Sequence, residues 1–583
     1  MDISLQLNEF PAPELALSAE WRGSVCRLEL ANTSAVTKTI GEIIVFSAPM
    51  PFSAETEVFG EGYNKLAQYG GTVKQIAFIG SFSDYDHYKL RKPDGFNQVY
   101  NMAIFSPTDS RPHLLGFCSC FRFSGCIRYN TERLELVLNC ENIKLLPGER
   151  IKLEEIYAEK GERNEILSNF SAAILANHPR PEFTEIPTGW CSWLTYGPFV
   201  TEKNVYDNLE AIEKNGLNLK YIQIDDGYQR YMGDWLSSTD KFAGGVQRVC
   251  KIIKEKGFEP AIWVAPFIAQ EESAIFKAHP DWFIKDEDGM PLPSSKVSFG
   301  GWRCAPWYML DVTHPDALDY LRAVFRTMRN DWGVRYFKLD ANMWGALPFG
   351  RRYDNRKTCI EAYRLGMEAI LEAVGSDGFI LGCNAPVWPS IGVVHGMRVT
   401  NDNSRCWKSF VQIAKEGFRR NWMHNKLWIN DPDTVLLQNN NIKIMDPAGR
   451  ANDRYQQIST EEFKVNAAYT MATGGMVLSS DDITSYTTEQ VALLKKLLPP
   501  VGIAAEFDDE SFAVGKTVLS REEILVFLFN LDDFSKKTEI DIGGRFLAFD
   551  LFEEKDLGIF EEKICFSDMP AHSAKVLRCK KLC

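Results

Sequence analysis

A multidomain α/β protein, with a central (β/α)8 TIM barrel between an N-terminal antiparallel β-sandwich and a small C-terminal antiparallel β domain, is the fold class this sequence predicts. Three observations predict it. Eight short apolar runs, most of them closed by polar or acidic residues, alternate with amphipathic stretches between residues 188 and 481. Apart from Trp21, every tryptophan lies between Trp190 and Trp428, so the centre differs in kind from its flanks. The flanks carry short alternating runs punctuated by Gly, Pro, Asn and Asp, the pattern of antiparallel sheets. A chain of 583 residues exceeds what one hydrophobic core can serve. The expected domains are 1–162, 163–502 and 503–583.

In chain order, Arg27-Leu28-Glu29-Leu30 and Leu134-Glu135-Leu136-Val137-Leu138 alternate with the period of a half-buried strand and belong to the N-terminal sandwich. The barrel strands are expected at 188–193, 221–225, 260–265, 335–340, 379–384, 396–402, 426–431 and 475–481. Helical periodicity at 205–215, 246–256 and 316–331 supplies crossovers between them, the signature of parallel β/α units. The strand grammar returns in Glu523-Ile524-Leu525-Val526-Phe527-Leu528-Phe529-Asn530 and in Lys575-Val576-Leu577-Arg578.

Polar residues gather at the carboxyl ends of these runs, which in a barrel converge on one mouth. The second run ends in Asp225-Asp226, the fourth in Lys338 and Asp340, the fifth in Cys383-Asn384, the sixth in Asp402, the seventh in Asn430-Asp431 and the eighth in Asp481-Asp482. Lys338 and Asp340, two apart on a strand, share a face, and a carboxylate beside a fixed cation is a nucleophile candidate. Asp402, beside Arg398, is a second strand-end acid, and such a pair points to acid/base and covalent glycosyl chemistry. A single strand-end Asp is more often a cap or turn former; the set of ends lifts Asp340 and Asp402 above that reading.

A net charge of −13 argues against a nucleic-acid partner. The opening MDISLQLNEFPAPELALS has no basic segment followed by an apolar one, and no apolar run is long enough to span a bilayer, so a cytoplasmic chain without a membrane partner is expected. The cysteines lack C-x-x-C spacing and the histidines lack H-x-H or H-E-x-x-H, so buried thiols, no metal and no cofactor are expected.

GWCSW at 189–193, IDDGYQ at 224–229, WVAPF at 263–267, KLD at 338–340 and R-x-x-x-D at 398–402 resemble, in this order, the retaining α-galactosidases and raffinose-synthase-like members of glycoside hydrolase family 36, notably the smaller bacterial type. The resemblance implies that Asp340 is the nucleophile and Asp402 the acid/base of a retaining exo-acting α-glycosidase, releasing terminal α-linked galactose from small oligosaccharides. It further implies that Asp225 and Asp226 bind hydroxyls remote from the anomeric carbon, that Lys338, Cys383 and Arg398 surround the others, and that Trp190 and Trp263 are aromatic walls. Asn384 joins this set by its place beside Cys383. Transfer to a sugar acceptor, or a pocket for N-acetylgalactosamine or glucose, are the alternatives within the same chemistry. A homo-oligomer in which a subunit completes the mouth is compatible with the resemblance. Two departures stand out. No tryptophan lies between Trp21 and Trp190 to supply the family's N-terminal wall, leaving Tyr63 or Tyr69 as replacements; and the Gly-rich stretch of the larger members is replaced by Gly382-Cys383-Asn384-Ala385-Pro386.

Overall fold

A computed structural model of the chain describes residues 6–7, 14–439 and 457–582. Eight short parallel strands form its centre: β1 (Thr188–Cys191), β2 (Tyr221–Ile224), β3 (Glu259–Val264), β4 (Tyr336–Leu339), β5 (Phe379–Gly382), β6 (Gly396–Arg398), β7 (Ile429–Asp431) and β8 (Val477–Ser479). From β1 to β7 each pairs with its neighbour in this order, and β8 returns to β1, with Val477 beside Thr188. The ring closes between β7 and β8 where the Met476 N–H donates to the Asn430 carbonyl at 3.0 Å. Helices Glu202–Asn215, Val246–Glu255 and Pro315–Asn330 lie where the 3.6-residue period predicts them. The first begins at Thr201 because the Thr201 hydroxyl accepts the Asn204 N–H while the Asn204 side chain accepts the Thr201 N–H, a reciprocal cap worth about 1 kcal/mol.

Alternation along the strands sets the barrel interior. Tyr221, Ala261, Tyr336, Phe379 and Ile429 pack together inside the ring, with Tyr336 edge-on to Tyr221 and to Phe379 at centroid distances of 5.5 and 5.3 Å. Residues two and four further along a strand share that inward direction. The same parity therefore lifts Asp225, Trp263, Lys338, Asp340, Cys383 and Asp431 to the carboxyl ends of their strands. The polar mouth continues the apolar interior stripe at the level where packing stops.

The N-terminal region is one antiparallel sheet, thirteen-stranded among the described residues, from Gln6–Leu7 to Ile156–Lys160. Leu134, Leu136 and Leu138 of Arg133–Leu145 enter the same core as Leu28 and Leu30 of Val25–Asn32, although these strands lie far apart in the hydrogen-bonded order. Strands far apart in the order thus share one core, and hydrogen bonds join all of them into a single sheet. Bulges between Leu136 and Val137 and between Asn139 and Ile143 add to its curvature. Val137, with Met102, Ile104 and Leu114, faces the other way, into a core shared with the barrel.

After the barrel, a six-stranded antiparallel sheet runs from Glu506–Phe507 to Ser573–Lys581. Val526, Leu528 and Leu577 fill its own core, while the alternate residues Phe527, Phe529 and Val576 pack toward the barrel. Among the described residues no helix is long and apolar enough to cross a membrane.

Candidate active site

Asp340 follows β4, and its backbone N–H still reaches across to the Val264 carbonyl at 2.8 Å, holding the residue against β3. One carboxylate oxygen accepts the Trp263 indole N–H at 3.1 Å and the other the Ala341 N–H at 2.7 Å. Ala341 makes the second contact in a left-handed conformation, φ 53°, which costs a residue with a Cβ about 1 kcal/mol or more. Such strain at the residue after a strand-end acid marks a site where carboxylate position matters.

The cation that sequence parity places beside Asp340 pairs elsewhere. Lys338, on the same face, donates to the Asp225 carboxylate at 2.9 Å, with both side chains buried. Burial alone would push the ammonium down, but Asp225 and the neighbouring Cys383 and Cys191 hold it well above its usual range. Parity fixes a side chain's face and not its partner, and the long lysine stem reaches β2. Asp225 also accepts Gln223 Nε2 at 2.6 Å and the Asp226 N–H at 2.9 Å. Asp226, equally buried, takes both Nε and Nη2 of Arg303 and Gln229 Nε2 at 2.6 Å. The two acids expected to meet sugar hydroxyls therefore each hold a cation at the mouth, Lys338 buried and Arg303 partly so.

On the opposite side Arg398 joins three groups. Its Nη2 donates to Asp402 Oδ1 at 2.8 Å and lies 2.6 Å from Asp433 Oδ2, and its Nη1 approaches Cys383 Sγ at 3.9 Å. Burial raises the Asp433 carboxyl to about 6 against the pull of Arg398, with Asp402 and Asp431 adding repulsion. The Cys383 thiol is pushed up to about 12 by burial and by Asp340, against Lys65, Arg398 and Lys338. Asp340, Cys383, Arg398 and Asp402 thus form one connected neighbourhood across β4 to β6. Within it Asp402 differs from the rest: its side chain is 51% exposed, whereas that of Arg398 is 2% exposed. The segment bearing it is pinned on both sides, by Asn401 N–H on Glu416 at 2.9 Å and Asn403 N–H on Asp433 at 2.5 Å.

Trp263 reaches the nucleophile candidate, while the fully buried Trp190 turns its indole N–H to the Asp481 carbonyl at 2.8 Å. Tyr63 and Tyr69, the replacements suggested for the missing tryptophan, bond instead to the Ala346 carbonyl and to Asp84. The N-terminal side chains that do reach the mouth are Lys65, on Thr400 O at 2.8 Å and Cys383 Sγ at 3.7 Å, and Tyr88, on Asn384 Oδ1. Neither these nor Arg303 lies in a periodic or motif context; Lys65 lies between Tyr63 and Tyr69, the two residues considered for the wall. Among the described residues, no three His, Cys, Asp or Glu side chains cluster as a metal would need. Asp433 is engaged by Arg398, and Asp481 by Arg405 at 2.6 Å and Tyr486 at 2.8 Å.

Residues 203–378 match the melibiase family. An A type blood α-D-galactosamine galactosaminidase from Flavonifractor plautii is 26% identical over 293 residues, which is 46% of this chain and 26% of that protein. The α-galactosidase AgaA of Geobacillus stearothermophilus is 25% identical over 270 residues, 43% of this chain and 35% of that protein. The chain thus spans about a quarter to a third of the length of these relatives. The crystal structure of AgaA, described as a GH36 α-galactosidase, superposes with a TM-score of 0.69 at 15% identity, covering 97% of this chain and 81% of that one, so the two share a fold.

Proposed function

We propose, for a chain that belongs to the GH36 α-galactosidase-like family, an exo-acting retaining α-glycosidase that removes a terminal α-linked, galactose-configured sugar from small oligosaccharides. The observation that carries this reading is the Asp340–Cys383–Arg398–Asp402 neighbourhood, with a positioned inner carboxylate and a more exposed outer one on the same mouth.

In this mechanism Asp402 gives its proton to the departing glycosidic oxygen as a carboxylate oxygen of Asp340 attacks the anomeric carbon. The carbon–oxygen bond to the leaving group breaks and a β-linked glycosyl ester forms. Water then loses a proton to Asp402, attacks the same carbon from the vacated face and frees Asp340. Arg398 orients Asp402 through both half-reactions, and Trp263 and the Ala341 N–H keep the Asp340 oxygens aimed. Lys338 and Arg303, fixed by Asp225 and Asp226, present N–H donors to ring hydroxyls farther from the reacting carbon. The working unit in this reading is the 163–502 barrel with contributions from the domain before it.

The test is stereochemical. Proton NMR of the first sugar released from an aryl α-galactoside should show the α-anomer, and a carboxyl separation of about 5 to 5.5 Å should be found in a crystal structure. An initial β-anomer, with carboxyls roughly 6.5 to 9.5 Å apart, would overturn the retaining assignment.

A further inference from the structure

Where the N-terminal region meets the mouth, three side chains offer hydrogen-bond donors. Asn384, 7% exposed, accepts the Tyr88 hydroxyl with its Oδ1, and its Nδ2 has no partner among the described residues. Burial keeps the Tyr88 phenol protonated, so Tyr88 is the donor and the amide nitrogen is turned away from it. Lys65, 2% exposed, spends its ammonium on the Thr400 carbonyl and Cys383 Sγ, has a third N–H to give, and makes no ion pair among the described residues. Cys383 remains a thiol, a weak donor. Asn384 holds its place with a left-handed backbone, φ 41°, in a loop stitched to the N-terminal sheet: the Lys65 N–H bonds the Ala385 carbonyl at 3.1 Å and the Val387 N–H the Tyr63 carbonyl at 2.9 Å.

This corner borders Asp340, the charged neighbour that acts most strongly on both Cys383 and Tyr88. A nucleophile meets its sugar at the anomeric carbon, whose ring neighbours are the ring oxygen, which bears no substituent, and carbon 2. Donors beside the nucleophile therefore face the carbon-2 substituent. We propose that Lys65, Cys383 and Asn384 recognise a neutral hydrogen-bond acceptor on carbon 2 of the glycone, the carbonyl of an acetamido group, with Lys65 as the specificity-determining residue. An anionic substituent would meet Asp340, an ammonium would meet Lys65, and a hydroxyl, which could give its hydrogen to Asp340, brings one small oxygen to three donors. A carbonyl satisfies the donors and brings no charge.

The inference rests on the glycosidase reading of Asp340 and is tested apart from it. The measurement is kcat/KM for the p-nitrophenyl α-glycosides of galactose, N-acetylgalactosamine and galactosamine, with wild type, Lys65→Met and Asn384→Ala, each confirmed folded by circular dichroism. Wild type should prefer the acetamido sugar over the amino sugar by at least about 100-fold and over the hydroxyl sugar by at least about tenfold. Lys65→Met should cut the acetamido-to-amino ratio by at least about 30-fold, chiefly through KM, and Asn384→Ala the acetamido-to-hydroxyl ratio by about tenfold. A wild-type preference for the hydroxyl sugar overturns the inference, as do ratios unchanged within about threefold in both variants. If none of the three is hydrolysed, the glycosidase reading falls. Calorimetric binding of free N-acetylgalactosamine and galactosamine then decides: discrimination that Lys65→Met abolishes supports the corner, and equal binding of the two refutes it.

Discussion

Arg420 and Arg398 are both buried guanidiniums near the barrel's sixth strand, and they are treated in opposite ways. Arg420, in the seam with the N-terminal sheet, pairs with Glu61 at 2.6 Å and also donates to the Val399 and Ala67 carbonyls at 2.9 and 3.2 Å and to that of Lys65. Nothing in that arrangement is spare. Arg398, at the mouth, leaves its Nε without a partner among the described residues and shares one Nη between two carboxylates, one of them half exposed. The charge in the seam is saturated, whereas the one at the mouth, which the proposed function assigns to orienting Asp402, keeps an unused donor.

Breaking each side of this contrast should give different symptoms. Asp340→Ala should lower kcat by at least about 10⁴-fold with the unfolding midpoint nearly unchanged, as read by steady-state assay and thermal melt; residual turnover near wild type would dismiss Asp340 as nucleophile. Arg420→Met, which strands Glu61 in the seam, should cost about 3 to 5 kcal/mol in denaturant unfolding. A loss below about 1 kcal/mol there would mean that the seam is wetter than its burial indicates.

A subtler probe is Asp84, wholly buried in the seam, where its carboxylate accepts the Tyr63 and Asn64 N–H groups at 3.0 Å each, the Asn64 amide at 2.6 Å and the Tyr69 hydroxyl at 3.1 Å. Burial outweighs these donors and raises its pKa from 3.8 to about 6. A folded-state value above the unfolded one means the folded chain binds the proton more tightly. Its stabilising contribution is therefore full below about pH 4 and is lost as pH rises through about 6. Over that window the loss should be on the order of 3 kcal/mol, and Asp84→Asn should flatten this part of the stability-against-pH curve. A slope that survives the substitution would assign it to another group. At the small end, Lys203→Ala, removing the exposed Lys203–Asp207 pair, should change stability by less than about 0.5 kcal/mol.

The barrel was readable because its evidence is periodic. The two-residue alternation that puts Tyr336 inside also puts Lys338 and Asp340 above it, so strand positions and strand-end acids follow from one pattern. The Lys338–Asp225 pairing was not readable, since it depends on reach across the ring. Arg303 sits in a loop after β3, Lys65 in a turn of the N-terminal region and Tyr88 at the end of its helix Asp84–Tyr88; contacts between segments 77 to 318 residues apart leave no local trace. The sandwich was expected because alternation reports which side chains are buried, while the order in which the strands hydrogen-bond into one sheet leaves no such trace.

The bridge between Asn64 and Pro386 has a practical corollary for anyone who edits this protein. A truncation at the sheet–barrel boundary would keep every strand-end acid yet discard two of the side chains that border them and unfasten the loop after β5. Domain shuffling in this architecture would part Lys65 and Tyr88 from the strand ends they border, so the smallest unit that carries the whole mouth is longer than the barrel that bears its acids.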